Sequence, residues 1–442
     1  MKVLFVSLGC DKNLVDTEEM LGMLSESGYQ FTNDEIEADI IVINSCCFIN
    51  DAKEESINTI IEMGRYKEIG KCKGLIVTGC LAQRYSEEIR RELPEVDAII
   101  GTSSYDAIVC AIEDVKNGIK KEYMSQLNRL VDSDAKRVIT TGGHYAHLKI
   151  AEGCNKMCTY CIIPKIRGNY RSVPMEKLVK RAEYLASQGV KELILVAQET
   201  TMYGVDIYGK KSLPKLLKEL CKISGIQWIR IMYCYPEEID DELIEVIKNE
   251  QKICKYLDMP IQHASDRILK LMGRRTNNAD LYAIISNLRK EIPEIKLRTT
   301  LISGFPGETQ EEHEILMKFV DEIEFDRLGV FSYSAEEGTP AANFEEQIED
   351  NIKEDRRDEI MELQQEIAFD KAEDMIGKII PVIIEGHIPD ENAYVGRTYM
   401  DAPGIDGNIF ITTDEDLMSG DFCFVKVTGA LEYDLIGEIC VQ

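Results

Sequence analysis

The sequence predicts an α/β chain in three parts: an N-terminal doubly wound parallel sheet, a central partial barrel of six strand–helix units, and a small all-β barrel at the C-terminus. Three observations carry this expectation. Short continuous apolar runs alternate with amphipathic stretches over about the first 120 residues. A second, longer alternation of the same kind begins near His147. From about Ile379 the pattern changes to brief alternating runs separated by Gly, Pro, Asn and Asp. The chain's 442 residues suit about three domains.

In the first part the apolar runs are Val3–Leu8, Ile40–Ile43, Leu75–Thr78 and Ala98–Ile100. Helical patterns follow at Leu14–Ser27, Lys53–Met63, Ala82–Glu92 and Tyr105–Asn117. Continuously apolar strands between helices imply a parallel sheet covered on both faces. We place this domain at residues 1–118 and read residues 119–143, which are mixed, polar and contain Gly142-Gly143, as a linker. The central domain, residues 144–370, offers strands at His147–Ala151, Glu192–Val196, Trp228–Met232, Tyr256–Met259, Lys296–Ile302 and Arg327–Tyr333, each followed by a helical pattern of at least ten residues. Six units fall short of the eight of a closed (βα) barrel. Residues 345–376 are highly charged, with apolar Ile348, Ile352, Ile360, Leu363 and Ile367, which predicts one long amphipathic helix or two. The last part, residues 373–442, has strands at Ile380–Ile384, Tyr394–Tyr399, Ile409–Thr412, Phe422–Thr428 and Leu435–Cys440.

Composition narrows the function classes. Hydrophobic residues make up 44% and charged residues 29%, an ordinary globular balance that excludes a disordered or fibrous chain. No apolar run approaches the ~20 residues that span a bilayer. The formal net charge is −28, which repels nucleic-acid phosphate and attracts a basic partner. Residues 371–442 alone carry 4 basic and 14 acidic side chains. The start, Met1 to Gly9-Cys10, superficially resembles a lipoprotein cleavage site, but its apolar stretch is too short for a signal peptide and reads as a first strand. The expected compartment is the reducing cytoplasm.

Fourteen cysteines are too sparse for a disulfide scaffold, and clustered cysteines without an export signal point to metal or catalysis. Cys10, Cys46 and Cys80 each lie just beyond an apolar run, at the carboxyl edge of a predicted parallel strand, where open α/β sheets bind ligands. Small residues precede each one and would let backbone approach a bulky inorganic ligand. Three thiolates suit an iron–sulfur cluster with one iron lacking a protein ligand. The competing reading is three inert buried thiols, favoured for any one alone but not for three at equivalent positions. Cys47 points to the opposite side of an extended backbone, and Cys72 and Cys110 lie off the pattern.

Cys154, Cys158 and Cys161 form C-x₃-C-x₂-C after the first strand of the central domain. A structural zinc would need a fourth ligand, which no nearby downstream Cys or His supplies; His144 and His147 lie upstream. This motif, with Tyr160 before its last cysteine, resembles the radical S-adenosylmethionine (radical SAM) superfamily. The resemblance implies a 4Fe–4S cluster on the three thiolates, whose open iron chelates S-adenosylmethionine, and cleavage of that cofactor to a 5′-deoxyadenosyl radical. It places Tyr160 near the adenine. It places Gln198 and Glu199, in Val196-Ala-Gln-Glu-Thr-Thr-Met-Tyr-Gly204, by the methionine moiety. Ser303 and Gly304, opening Ser-Gly-Phe-Pro-Gly307, would approach the same cofactor, although Gly-Phe-Pro-Gly alone can be a simple turn.

The order of parts resembles the methylthiotransferases over essentially the whole chain, with the C-terminal barrel similar to the TRAM domain. That resemblance implies a second 4Fe–4S cluster on Cys10, Cys46 and Cys80, which delivers the inserted sulfur, and two S-adenosylmethionine molecules per turnover, one for methylation and one for the radical. It implies no catalytic side chain beyond the clusters, an electron donor such as flavodoxin or ferredoxin, and a monomer away from membranes. Three segments are similar to the branch that modifies the β-carbon of an aspartate in small-subunit ribosomal protein number twelve. They are Ser7-Leu-Gly-Cys10-Asp-Lys-Asn-Leu-Val-Asp16, Tyr256-Leu-Asp-Met-Pro-Ile-Gln-His263 and Gly396-Arg-Thr-Tyr-Met-Asp-Ala-Pro-Gly-Ile-Asp-Gly407. Asp11 departs from that branch, which has Pro there. A basic ribosomal protein also complements the acidic terminal barrel. The tRNA-modifying branch is the alternative, and it needs a basic track; Lys165, Arg167, Arg171, Arg274 and Arg275 are the candidates. A two-cluster electron carrier is a third reading, against which the six strand–helix units weigh. Trp228, in a predicted strand, reads as core, whereas His263 and Asp16 each carry both a site reading and a structural one.

Overall fold

Apolar residues on alternate positions of one strand can cover both faces of a sheet, and the N-terminal strands do this. In the computed structural model, which describes residues 1–131, 136–389 and 392–440, the chain divides into two compact units. Unit 1 comprises Met1–Thr140, Ala151–Val173 and Ser334–Ala342. Its sheet has six parallel strands, β1 (Lys2–Ser7), β2 (Gln30–Phe31), β3 (Ile40–Ser45), β4 (Gly74–Gly79), β5 (Ala98–Ile100) and β6 (Lys121–Tyr123), in the order β2-β1-β3-β4-β5-β6. Ile41, Ile43, Leu75 and Val77 pack one apolar layer with Ile60, Leu81 and Ile89. Ile40, Val42, Ile76 and Ile100 pack the other with Met20, Leu24 and Ile112. That two-sided burial explains the unbroken apolar runs.

Two sequence expectations differ here. The Ala82–Glu92 pattern is two helices, Cys80–Arg84 and Ser86–Glu92. The segment read as a linker contributes β6, an edge strand of this sheet; its polar composition reflects exposure on the edge rather than absence of structure.

After β7 (Tyr145–Lys149), a short antiparallel pair, β8 (Ala151–Glu152) with β9 (Arg171–Ser172), frames the C-x₃-C-x₂-C loop. Ile162 and Ile166, just beyond the last cysteine, join the apolar layer of Ile43 and Val77.

Unit 2 comprises Thr141–Ile150, Pro174–Tyr333 and Asn343–Gln442. Its parallel sheet runs β14-β13-β12-β11-β10-β7, with β10 (Glu192–Val196), β11 (Trp228–Ile231), β12 (Ile253–Asp258), β13 (Lys296–Ser303) and β14 (Arg327–Ser332). Not every crossover holds a helix of ten residues. After β10 come Val205–Tyr208, flanked by left-handed Gly204 and Gly209, and then Leu213–Cys221. The charged segment forms one helix, Asp350–Glu373, burying Ile360, Gln364 and Ile367 and leaving Ile352 exposed. The terminal strands β15 (Ile379–Ile388), β16 (Ala393–Thr398), β17 (Ile409–Thr412), β18 (Phe422–Ala430) and β19 (Leu435–Ile439) close a barrel in the order β15-β16-β17-β19-β18. Trp228 is core: it is buried and meets Phe422 edge-on at 4.8 Å between ring centres.

An ionic network joins this barrel to the sheet of unit 2. Glu192 on β10 is fully buried and accepts from Arg230 Nε at 2.8 Å and from a terminal nitrogen of Arg397 at 2.5 Å. Arg397 also donates to Glu385 Oε1 at 2.8 Å. Burial pushes the Glu192 carboxyl up, but the two guanidiniums outweigh it and hold the group below the usual carboxylate range. Removing one member of such a network strands the others' charge in a dry interior. Glu192→Ala is therefore expected to lower the unfolding free energy by about 3–5 kcal/mol, read from denaturant melts, with the isosteric Glu192→Gln losing less.

Candidate functional site

Parallel neighbours end side by side, so the carboxyl ends of β1, β3 and β4 deliver their following residues to one place. Ser7 lies opposite Asn44 and Ser45 opposite Gly79. Cys10, Cys46 and Cys80 therefore leave adjacent strands at the same edge. Cys46 and Cys80 are buried and Cys10 is exposed. Gly9 and Gly79 both take positive φ, +87° and +93°. A Cβ on Gly9 would stand 2.7 Å from Cys46 Cβ, and one on Gly79 would stand 2.3 Å from Asn44 Oδ1. The glycines thus let the three strand ends pack against one another, a more local reason than the approach of a ligand.

Asn13 holds these ends together. It lies on the first turn of the helix Asp11–Glu26 and is fully buried. Its amide nitrogen donates to Leu8 O at 3.0 Å and to Ser45 O at 3.2 Å, while its Oδ1 is 3.8 Å from Cys80 Sγ. Asn44 returns a bond to Asn13 O at 2.8 Å. Arg167, also buried, donates to Asp16 Oδ2 at 2.8 Å, to Glu152 Oε2 at 3.1 Å, to Asn13 Oδ1, and to Cys80 Sγ at 3.6 Å. Asp16 is thus a buried ion-pair partner, not a solvent-facing residue. Burial pushes the Cys46 and Cys80 thiols up, and the Arg167 charge partly offsets this at both. Cys47 turns into the apolar layer of Ile41 and Val77, where burial pushes its thiol up to about 12. Cys72 donates to Gly74 O at 3.3 Å at the opposite end of β4, and Cys110 is exposed on the helix Ile108–Lys116.

The second trio lies in the same unit. Cys154 and Cys158 are buried and Cys161 half-buried. The loop is tight: Gly153 has φ +78°, and a Cβ there would meet Asn169 O at 2.2 Å. Met157, between two of the cysteines, takes φ +58° and projects its side chain outward, 68% exposed. The Lys156 amide donates to Cys154 Sγ at 3.4 Å. Thr159 accepts from the Ala341 amide at 2.9 Å, and Lys165 reaches Gly338 O at 2.6 Å, so Ser334–Ala342 straps the loop. Tyr160 is half-buried beside Cys161.

Among the described residues, three of the four non-glycine residues with positive φ lie in this loop or beyond strand ends: Met157, Tyr233 and Gln262. Such strain gathers at functional edges. In unit 2, Gln198 and Glu199 follow β10; Glu199 is buried and accepts from the Thr201 amide at 3.1 Å and from its hydroxyl. Ser303 ends β13 and gives its hydroxyl to Lys353 O at 2.8 Å, while the bare face of Gly304 accommodates Lys353, whose Cγ would lie 2.3 Å from an added Cβ. Both residues thus pack against the helix Asp350–Glu373. Glu308 organises that turn, accepting from the Gly304 and Phe305 amides and from Arg356 at 2.9 Å. His263, fully buried, accepts from the Ser265 amide at Nδ1 and sets Nε2 3.5 Å from Glu308. Asn13, Glu152 and Glu308 were not singled out from the sequence. Lone polar residues carry no spacing signal, and only their convergence in space marks them.

The two cysteine trios supply the soft donors a cluster requires. Among the described residues no three Cys, His, Asp or Glu side chains converge as a single ion would require. A cube of iron and sulfur spaces its ligand sulfurs more widely, and the donor chemistry of the trios suits such a group.

A model of the uncharacterized protein family UPF0004 matches residues 2–101, one of the radical SAM superfamily residues 148–320, and one of the TRAM domain residues 376–440. The chain is 64% identical over 437 residues to the ribosomal protein uS12 methylthiotransferase RimO of Lachnoclostridium phytofermentans, covering 99% of both chains. The chain belongs to the RimO family of radical SAM methylthiotransferases. The RimO of Acetivibrio thermocellus is 52% identical over 445 residues, covering 99% of this chain and 98% of that one. In fold, this RimO-family chain is similar to the radical S-adenosylmethionine methyltransferase TsrM from Kitasatospora setae. The TM-score is 0.54 at 13% identity, over 74% of this chain and 72% of the other.

Exposure differs among the thiols in a way that alkylation can read. A short pulse of iodoacetamide on the iron-free chain is expected to label Cys10 and Cys110 first, as mapped by peptide mass spectrometry. Asn13→Ala is expected to add Cys80 to the fast set, because it removes the side chain that ties the β1 and β3 ends beside it.

Proposed function

We propose that this RimO-family chain adds a methylthio group to the β-carbon of an aspartate in ribosomal protein uS12. The observation that carries this reading is that two trios of cysteines share unit 1, at the ends of three adjacent strands and in a strapped loop. Cys154, Cys158 and Cys161 would hold one 4Fe–4S cluster, and Cys10, Cys46 and Cys80 a second. When bound, such clusters supply an electron for cleaving S-adenosylmethionine at one site and sulfur for transfer at the other. Two molecules of S-adenosylmethionine are used, one giving the methyl group and one the hydrogen-abstracting radical.

The chain's own residues prepare these sites. Asn13 fixes the spacing of the first trio, and Met157 holds the turn between two thiols of the second. The cover of Ile162 and Ile166 joins the second loop to a packed core, which limits its motion. Tyr160, Gln198, Glu199, Ser303 and Gly304 are the proposed contacts for S-adenosylmethionine. Among the described residues no helix is long and apolar enough to cross a membrane.

Charge supports a basic protein substrate. The terminal barrel is strongly acidic. The basic track that tRNA would need is interrupted: Arg167 is spent inside unit 1, and Arg274 is buried with its guanidinium 4.2 Å from the Tyr235 ring centre.

Two measurements test this reading. Cys46→Ala and Cys158→Ala should each leave about half the iron of the reconstituted wild type, with only the second abolishing 5′-deoxyadenosine release. Cells lacking the chain should gain a methylthio mass on an aspartate peptide of uS12 when it is restored, by mass spectrometry of ribosomal protein and tRNA. A gain on tRNA alone would overturn the substrate.

A further inference from the structure

The Arg167 side chain touches both cysteine-bearing segments. It lies six residues beyond Cys161, at the end of the short helix Ile163–Arg167. One guanidinium nitrogen bridges Asp16 Oδ2 at 2.8 Å and Glu152 Oε2 at 3.1 Å, and Glu152 is two residues before Cys154. The other reaches Asn13 Oδ1 and Cys80 Sγ, the sulfur at 3.6 Å. The side chain is only 2% exposed. Little water screens its charge, so its effect on a neighbouring sulfur is far larger than at a surface.

We propose that Arg167 is a positioning residue that raises the electron affinity of the group held by Cys10, Cys46 and Cys80 and ties that group to the loop of Cys154, Cys158 and Cys161. The proposal rests on the reading that the first trio holds a cluster. Its physics is that of an outer-shell donor. An N–H pointed at a ligand sulfur, carrying a full positive charge, stabilises the added electron of a reduced cluster. Asp16 opposes this by drawing the same guanidinium to itself. The pair therefore sets a balance, in which removing the cation and removing the anion act with opposite sign. A merely structural bridge would not show that sign reversal. The segment after Cys161 brings the cation to Cys80, so the second loop and the first trio share one charged contact.

The test is an EPR-monitored redox titration of the anaerobically reconstituted full chain, with the first cluster's signal assigned as the one lost in Cys80→Ala. Arg167→Gln should shift that midpoint to more negative potential, Asp16→Asn to more positive, and Arg167→Lys should stay near the wild type. An unmoved midpoint in Arg167→Gln carrying both clusters, or shifts of the same sign in Arg167→Gln and Asp16→Asn, overturns the proposal. Loss of the first cluster in Arg167→Gln with retention in Arg167→Lys supports the need for a cation at this place. If Arg167→Gln does not fold, Asp16→Asn decides, and an unmoved midpoint there overturns it. Wild-type chain holding the iron of only one cluster would instead sink the underlying reading of the site.

Discussion

Asn13 carries no charge and meets no solvent, yet three strand ends converge on it. Its amide bonds to Leu8 O and Ser45 O span the first and second strand ends, and its oxygen faces the thiol at the third. A buried amide that loses such partners costs about 1–3 kcal/mol per unmatched group, so the arrangement is fixed as a whole rather than bond by bond. Gly9 and Gly79 are consequences of the same convergence, because a side chain at either would push the ends apart. The trio's placement is thus a property of the sheet edge and its polar hub.

Unit 2 rests on a different solution to burial. Glu192 lies between two arginines inside the structure, and Arg327 pairs with Asp401 close to the same barrel turn, its Nε donating at 2.9 Å. Ionic contacts of this kind add little net stability compared with apolar packing, but they penalise misplacement severely. They fix the register of the acidic barrel on the sheet of unit 2. A barrel held by the apolar contacts of Trp228 and Ile383 alone could slide at smaller cost.

Much of this was legible in the sequence because burial on both faces of a parallel sheet writes long apolar runs. Glu192–Val196 matches its observed strand residue for residue, and Trp228, Lys296 and Arg327 open theirs. Failures share a cause. Lys121–Tyr123 is an edge strand, exposed and polar, so its pattern is that of a loop. The helical stretch expected after β10 is split, because left-handed Gly209 ends Val205–Tyr208 before Leu213–Cys221 begins. For the site, the six thiols could be read from their positions after strands or within one loop. Asn13, Glu152 and Glu308 could not, since each acts through partners distant in sequence. The contact of Ser303 and Gly304 with Lys353, fifty residues away, was equally invisible in their short motif.

The adjacent pair Cys46 and Cys47 shows how the fold selects among identical groups. Both are buried. Successive residues of extended backbone face opposite ways, so one thiol must leave the edge when the other meets it. Cys47 enters the apolar layer with Ile41, Val77 and Leu81, and its thiol is pushed up to about 12, where it stays protonated in neutral water. Cys46 instead has the Ser56 hydroxyl at its backbone, 2.9 Å from its amide nitrogen and 2.8 Å from its carbonyl oxygen, and lies against Gly9 beside Cys10. A thiol must lose its proton to bind iron, and it does so more readily near cations and other donors than in hydrocarbon. Arg167 acts at Cys46 and Cys80 and Arg84 acts at Cys47, so a nearby cation does not by itself tell the thiols apart. Position on the strand end, more than any difference in the cysteines themselves, assigns one thiol to the proposed cluster and the other to the core.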